Sequence, residues 1–386
     1  MSDLQDAAAV MQERQVQATL AALHGEATRR CGFDDFGASD YLQPLTLLVE
    51  ELASTPMSDV GRAIWKEELT LALVGRAVRE ANWKANPAYR ARAIERPLVI
   101  CGIPRTGTTA LHKVLSMDPQ FQGLDQWLTG WPMPRPPRER WADEPGYKLA
   151  EEVIRARSAG MPGFDAAHEV VVDEVEECLQ LLRLDFVANH FPALAQVDDY
   201  DRWYQAQDQT PLYHRLADTL RLIGLHDDRP WLLKNPGHFA EMEALLAAFP
   251  DARVVITHRD PVKAIGSLVS LLSNPQRAVD PDVDLRRTAA RELAYWAQGK
   301  RRTEAVRARH PAEQFYDVDH VQFHKDPIGT VRGLYDHFGL GLSAEVEGRM
   351  RAWLAANPAD KHGVHRYALE DFGLTPEQVR AELQEG

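Results

Sequence analysis

The chain has 386 residues, of which 45% are hydrophobic and 26% charged, enough for one large α/β core with an accessory region. Its formal net charge of −13 leaves no surplus of lysine and arginine to displace counterions, which argues against general nucleic-acid binding but permits local basic pockets. Three widely spaced cysteines, Cys31, Cys101 and Cys178, form no disulfide framework or metal spacing, and no basic leader or span-length apolar run occurs, so a cytoplasmic enzyme is expected.

In chain order, residues 1–95 read as a helical region without convincing strands. One helix is expected from Leu4 to Arg30 and another from Ser58 to Trp83, where Ile64, Leu69, Leu73 and Val78 recur in a helical rhythm. Such helices pack on the main core or serve as a cap or homodimer surface. Pro97 opens a second part, 96–386, in which short apolar runs alternate with helices: strand 98–102, helix 108–116, strand 231–234, helix 238–248, strand 253–257 and helix 261–273. Continuous apolar strands each followed by a helix imply a parallel sheet covered on both faces. The expected architecture is therefore an α/β P-loop-like three-layer domain with a central parallel sheet, preceded by the N-terminal helical region.

The first of these strands runs into Gly102-Ile103-Pro104-Arg105-Thr106-Gly107-Thr108-Thr109. Gly102 and Gly107 have the spacing of the glycines in a nucleotide-binding P-loop, and Thr109 stands at its hydroxyl position. Thr108 replaces the lysine that reaches the terminal phosphates of ATP. Backbone N–H groups at a helix start still hold an anion, and Arg105 adds charge from within the loop, so a nucleotide with an anionic 5′ end that is not a triphosphate is expected. Further on, Arg253 to Arg259 reads as a strand ending in a guanidinium, and Pro261 is placed to open a helix that carries Ser267 two turns later. Arg259 and Ser267 can then converge on a second phosphate. The competing interpretation is a strand-end ion pair with Asp260 and a solvent-facing serine.

The ordered pair PRTGTT and RDPxxxxxS resembles the motifs of the bacterial branch of the PAPS-dependent sulfotransferase family, over about residues 96–372. That resemblance implies a 3′-phosphoadenosine 5′-phosphosulfate (PAPS) donor, with Arg105, Thr106, Gly107, Thr108 and Thr109 cradling the phosphosulfate and Arg259 and Ser267 holding the 3′-phosphate. It implies further that Lys234, in the segment Trp231 to Pro236, stabilises the departing 5′-phosphate oxygen. Tyr316 matches a strand-end tyrosine near the nucleotide. Lys361, His362 and Arg366, around Gly363, match a basic loop over the 3′-phosphate. No metal is required by this chemistry, which rests on alignment and charge stabilisation.

The base is the point of departure. Many relatives place a glutamate after the P-loop helix, whereas Gly123 to Leu128 contains only Asp125. The alternatives lie at His168 and in an acidic stretch expected to start a helix, with Asp173 and Glu174 in its first turn and Glu174 and Glu177 sharing one face. His168 and Glu177 rank first, Glu174 next and Asp125 last. For the acceptor, Trp127, Trp131 and Met133 could line an apolar mouth to which Phe186, Phe191 and Tyr200 add, although such residues are more often core. A small apolar or aromatic hydroxyl compound is then favoured as substrate. The alternatives to a sulfotransferase are a P-loop small-molecule kinase and a catalytically silent nucleotide-binding protein.

Overall fold

The computed structural model describes residues 2–160, 170–358 and 368–384. Its organising element is a five-stranded, all-parallel sheet in the order β2-β3-β1-β4-β5, with β1 Leu98–Cys101, β2 Gln122–Gly123, β3 Trp231–Lys234, β4 Arg253–His258 and β5 Phe315–Asp319. The interiors of the central strands are apolar because both faces are covered. Side chains alternate between two cores: Val99, Cys101, Leu233, Val254 and Ile256 enter one, and Leu98, Ile100, Leu232, Val255 and Val318 enter the other.

Because all five strands run the same way, their carboxyl ends lie on one rim of the sheet, where ligands bind in open α/β folds. The rim carries the loop after β1, Lys234 at the end of β3, Arg259 after β4 and His320 after β5. Helix Pro261–Val279 begins as the sequence suggests, with the Asp260 side chain accepting from the Lys263 backbone N–H at 3.2 Å, and extends past 273. The segment expected as one helix over 238–248 is instead a 3-10 turn, Pro236–Phe239, followed by helix Met242–Ala248. Pro236 fixes the turn, and the Asn235 side chain caps it by accepting from Gly237 N–H at 3.0 Å.

The N-terminal region is helical, as expected: α1 spans Ser2–Cys31, α2 Leu42–Ser54 and α3 Asp59–Ala85. Ser58 caps α3 by accepting from Gly61 N–H at 2.9 Å. These helices share the larger core with the sheet, through Leu20, Leu45, Trp65 and Leu73. Their inner face also buries a charged cluster in which Asp185 accepts from Arg76, Arg79 and Arg215. Among the described residues no helix is long and apolar enough to cross a membrane.

Candidate active site

The loop after β1 turns sharply into α4, Thr108–Leu115. Gly107, at φ 97°, is the residue before the helix, and Arg105 takes the left-handed conformation at φ 69°. Left-handed backbone is unfavourable for an arginine and is tolerated only where surroundings enforce it. Gly102 is required for a second reason: a Cβ there would lie 2.6 Å from the Thr257 carbonyl oxygen, where β1 and β4 run side by side. The loop is thus held tightly against the neighbouring strand. Thr106 adds to this by donating to the Ile103 carbonyl at 2.7 Å and sharing a 2.6 Å hydrogen bond with the Thr257 hydroxyl, so its buried side chain braces the loop.

Two guanidiniums join the loop to the segment after β4. Arg105 Nε donates to Ser267 Oγ at 3.0 Å, and Arg259 Nη1 donates to the Arg105 carbonyl at 2.9 Å. The two strings recognised in the sequence, 154 residues apart at these arginines, are one constellation in space. From the other side Lys234 reaches across from β3. Its Nζ donates to Thr109 Oγ1 at 3.3 Å and is ion-paired with the Glu177 carboxylate. Lys234 is only 2% exposed, whereas Glu177 is half-buried and Thr109 is exposed. A buried ammonium needs such partners, since an isolated one would be costly to desolvate. The ammonium missing from position 108 of the loop is thereby supplied beside Thr109 from a different strand.

Glu177 arrives by a route the sequence did not suggest. The acidic stretch starts no helix: residues 171–178 are extended or turn, and the next helix is Leu179–Leu182. Val175 forms an antiparallel bridge with Asp125, Glu176 N–H donates to the Leu124 carbonyl at 2.8 Å, and Cys178 N–H donates to the Lys234 carbonyl at 2.9 Å. Alternation along this extended run sends Glu174 and Glu177 to different partners. Glu174 is exposed and pairs with Lys113 on the flank of α4. Asp125 is paired with Arg135 at 2.8 Å; burial pushes its carboxyl above the ordinary range, against the pull of that guanidinium. Of the acids considered for the base, Glu177 alone is paired with Lys234.

Other expectations need correction or fall outside view. Tyr316 is not at a strand end: it is the second residue of the edge strand β5, opposite Val255, and its ring packs 5.2 Å from His337 and 6.3 Å from Phe338. Trp127, Phe186, Phe191 and Tyr200 are core rather than cleft, each fully buried, with Tyr200 donating to the Phe186 carbonyl at 2.7 Å. Trp131 and Met133 pack on that core but remain partly exposed. Thr108 is buried at the first turn of α4. His168, Lys361, His362 and Arg366 lie outside the described residues.

Two histidines missed in the sequence border the site. His112, on α4, is fully buried, and burial together with Lys234 and Lys113 holds its imidazole well below the usual range, so it is neutral. His320 lies so close to Gly107 that a Cβ on the glycine would be 3.3 Å from its ring. Burial, with His324, Arg259 and Lys263, brings its pKa down to about 4. The signal available in the sequence was position: His320 follows β5 on the rim that carries Arg259.

A tight loop at a helix start, two guanidiniums, a buried ammonium and an adjacent carboxylate can hold an anionic nucleotide and charge that develops on it. Comparison with known proteins shows what the whole chain is similar to. A family model described as sulfotransferase family matches residues 97–344. The omega-hydroxy-beta-dihydromenaquinone-9 sulfotransferase Stf3 of Mycobacterium bovis is 25% identical over 300 residues, covering 73% of this chain and 72% of its own length. The crystal structure of sulfotransferase STF1 from Mycobacterium tuberculosis superposes with a TM-score of 0.84 at 38% identity, covering 94% of this chain and 97% of that one. Sulfotransferase STF9 from Mycobacterium avium gives a TM-score of 0.86 at 28% identity, with 95% of both chains covered. The family model covers well over half of the chain, and the chain belongs to the sulfotransferase family.

Proposed function

We propose that the protein transfers the sulfuryl group of PAPS to a hydroxyl of a small apolar acceptor. The observation that carries this reading is the linked pair of anion positions. Lys234 and Thr109 mark one, Arg259 and Ser267 the other, and both members of the second bond Arg105, which lies in the same loop as Thr109. A nucleotide anionic at both its 5′ and 3′ positions matches that span, whereas a triphosphate needs its charges in a row.

In this reading the acceptor oxygen attacks sulfur in line while the bond from sulfur to the 5′-phosphate oxygen breaks. The Lys234 ammonium meets the charge that grows on the departing oxygen, the interaction that strengthens most in the transition state. The Glu177 carboxylate, adjacent to that ammonium, receives the hydroxyl proton. An apolar alcohol as acceptor is supported by the Stf3 relative, whose name specifies a hydroxylated menaquinone, and by the half-buried Trp131 and Met133 beyond the sheet.

The test is calorimetric titration with adenosine 3′,5′-bisphosphate and with ATP, followed by transfer of labelled sulfate from PAPS to a panel of apolar alcohols. Tight binding of the bisphosphate in preference to ATP, with labelled product, is expected. Preference for ATP would overturn the reading in favour of a kinase, and bisphosphate binding without transfer to any alcohol would leave a nucleotide-binding protein.

A further inference from the structure

We propose that the Glu177 carboxylate is a stand-in for the donor's phosphosulfate. It neutralises Lys234 until the donor enters, is then displaced from the ammonium, and only then is free to take the acceptor's proton. This rests on the sulfotransferase reading and adds to it an order of events: the base becomes available because the donor has bound.

The argument starts from what holds each cation. Arg105 is bonded to the Ser267 hydroxyl, Arg259 to the Arg105 carbonyl, and Lys234 to Thr109 and Glu177. Of these acceptors Glu177 is the charged one. Thr109 lies in the first turn of α4, where the unpaired backbone N–H groups of a P-loop-like turn hold an anion, so the Glu177–Lys234 pair adjoins the place an incoming phosphosulfate must take. Two anions cannot share one ammonium at hydrogen-bond range without strong repulsion in a site poor in water.

The two partners differ in freedom. The Lys234 side chain is 2% exposed and that of Glu177 14%, and Lys234 issues from a central strand whereas Glu177 lies in the irregular stretch between the Val175 bridge and helix Leu179–Leu182. The carboxylate is the partner able to turn away. Displaced, it no longer bonds the ammonium, and its oxygens are free to accept the acceptor's proton. In the transfer step the acceptor's O–H proton goes to the Glu177 carboxylate, the acceptor oxygen forms the new bond to sulfur, and the pair from the broken sulfur–oxygen bond stays on the 5′-phosphate. Protonated Glu177 then carries no charge with which to compete for Lys234.

The substitution Glu177→Gln separates this scheme from its alternatives by moving binding and turnover in opposite directions. Removing the competing charge is expected to tighten adenosine 3′,5′-bisphosphate binding about tenfold, the scale of one charge-assisted hydrogen bond. Removing the base is expected to lower kcat by about 100-fold or more. Weaker bisphosphate binding with lowered kcat would mean that Glu177 merely orients Lys234 and would overturn the proposal, as would no change in either quantity. A structure of the wild-type protein with the bisphosphate is independent of how the variant folds. Separation of Lys234 Nζ from the Glu177 carboxylate beyond about 4 Å, the ion-pair limit, is expected, and an intact pair overturns the proposal. If the wild-type protein gives no heat with the bisphosphate, the sulfotransferase donor reading fails first.

Discussion

Two buried ionic clusters, one at the rim of the sheet and one under the N-terminal helices, are built on opposite plans. Around Asp185, three guanidiniums converge on one carboxylate: Arg79 bonds both oxygens at 2.7 and 2.8 Å, Arg215 adds a bond at 2.7 Å, and Arg76 is paired as well. Arg76 and Arg215 also bond Asp40, at 3.3 and 2.6 Å, so the cluster is cross-braced between α3, the segment before α2 and helix Thr210–Ile223. At the rim, by contrast, Arg105 bonds a hydroxyl, Arg259 a carbonyl and Lys234 a hydroxyl and one carboxylate, next to a loop with a left-handed arginine. The difference teaches that burial of charge has two uses. A saturated cluster fixes how elements pack, and a cluster of exchangeable partners is a place for a ligand.

The largest effect is expected where saturation is broken. Asp185→Ala leaves three guanidiniums, those of Arg76 and Arg79 fully buried, without their common partner and should cost about 3–5 kcal/mol, read as a loss in the denaturant midpoint. The same carboxylate gives a pH signature. Burial pushes its pKa up, but the guanidiniums of Arg79, Arg215 and Arg76 outweigh that and hold it well below the usual carboxylate range. A depressed native pKa contributes stability that is complete at neutral pH and is lost as pH falls below about 4, so Asp185→Asn should flatten the acid limb of the stability curve. An unchanged acid limb would show that the cluster is not the brace described.

At the rim, Lys234→Met should leave the melting temperature nearly unchanged and lower kcat by about 100- to 1,000-fold, the usual effect of losing one preorganised charge at a developing anion. A large loss of stability instead would make Lys234 another brace and erase the contrast. Arg259→Ala should weaken adenosine 3′,5′-bisphosphate binding by about 1.5–3 kcal/mol while changing adenosine 5′-phosphosulfate binding much less, because only the former presents a 3′-phosphate. Equal losses for both ligands would place its effect in the loop carbonyl it supports. Smallest of all, Tyr316→Phe should alter bisphosphate affinity by less than about 0.5 kcal/mol, since the ring packs among His337 and Phe338 rather than in the cradle.

Legibility in the sequence followed the range of the interactions. β1, β3 and β4 were readable because a strand buried on both faces has no choice but a continuous apolar run. Arg105 through Thr109, and Arg259 with Ser267, were readable because loop and cap chemistry is local: glycines at fixed spacing, a proline at a helix start, an arginine at a strand end. Glu177 was named among the candidate bases, but for a reason that failed. Acids followed by apolar residues look like a helix start, and only the pairing of residues 174–178 with Leu124, Gln126 and Lys234 makes the stretch extended. His320 was missed altogether, since its one signal in the sequence is its place after β5, and only the tertiary structure brings it beside Gly107.

By itself, then, the sequence determined the parallel sheet, the P-loop-like turn without its lysine and the family, because each depends on contacts within a few residues or on short ordered motifs. The tertiary structure decided which strand supplies the replacement ammonium and which carboxylate meets it. It also decided which aromatics are core and that Tyr316 packs against His337 and Phe338. Those are matters of register and of which ends share a rim, and they join Lys234 to Thr109 across 125 residues and to Glu177 across 57, separations over which no local pattern carries information.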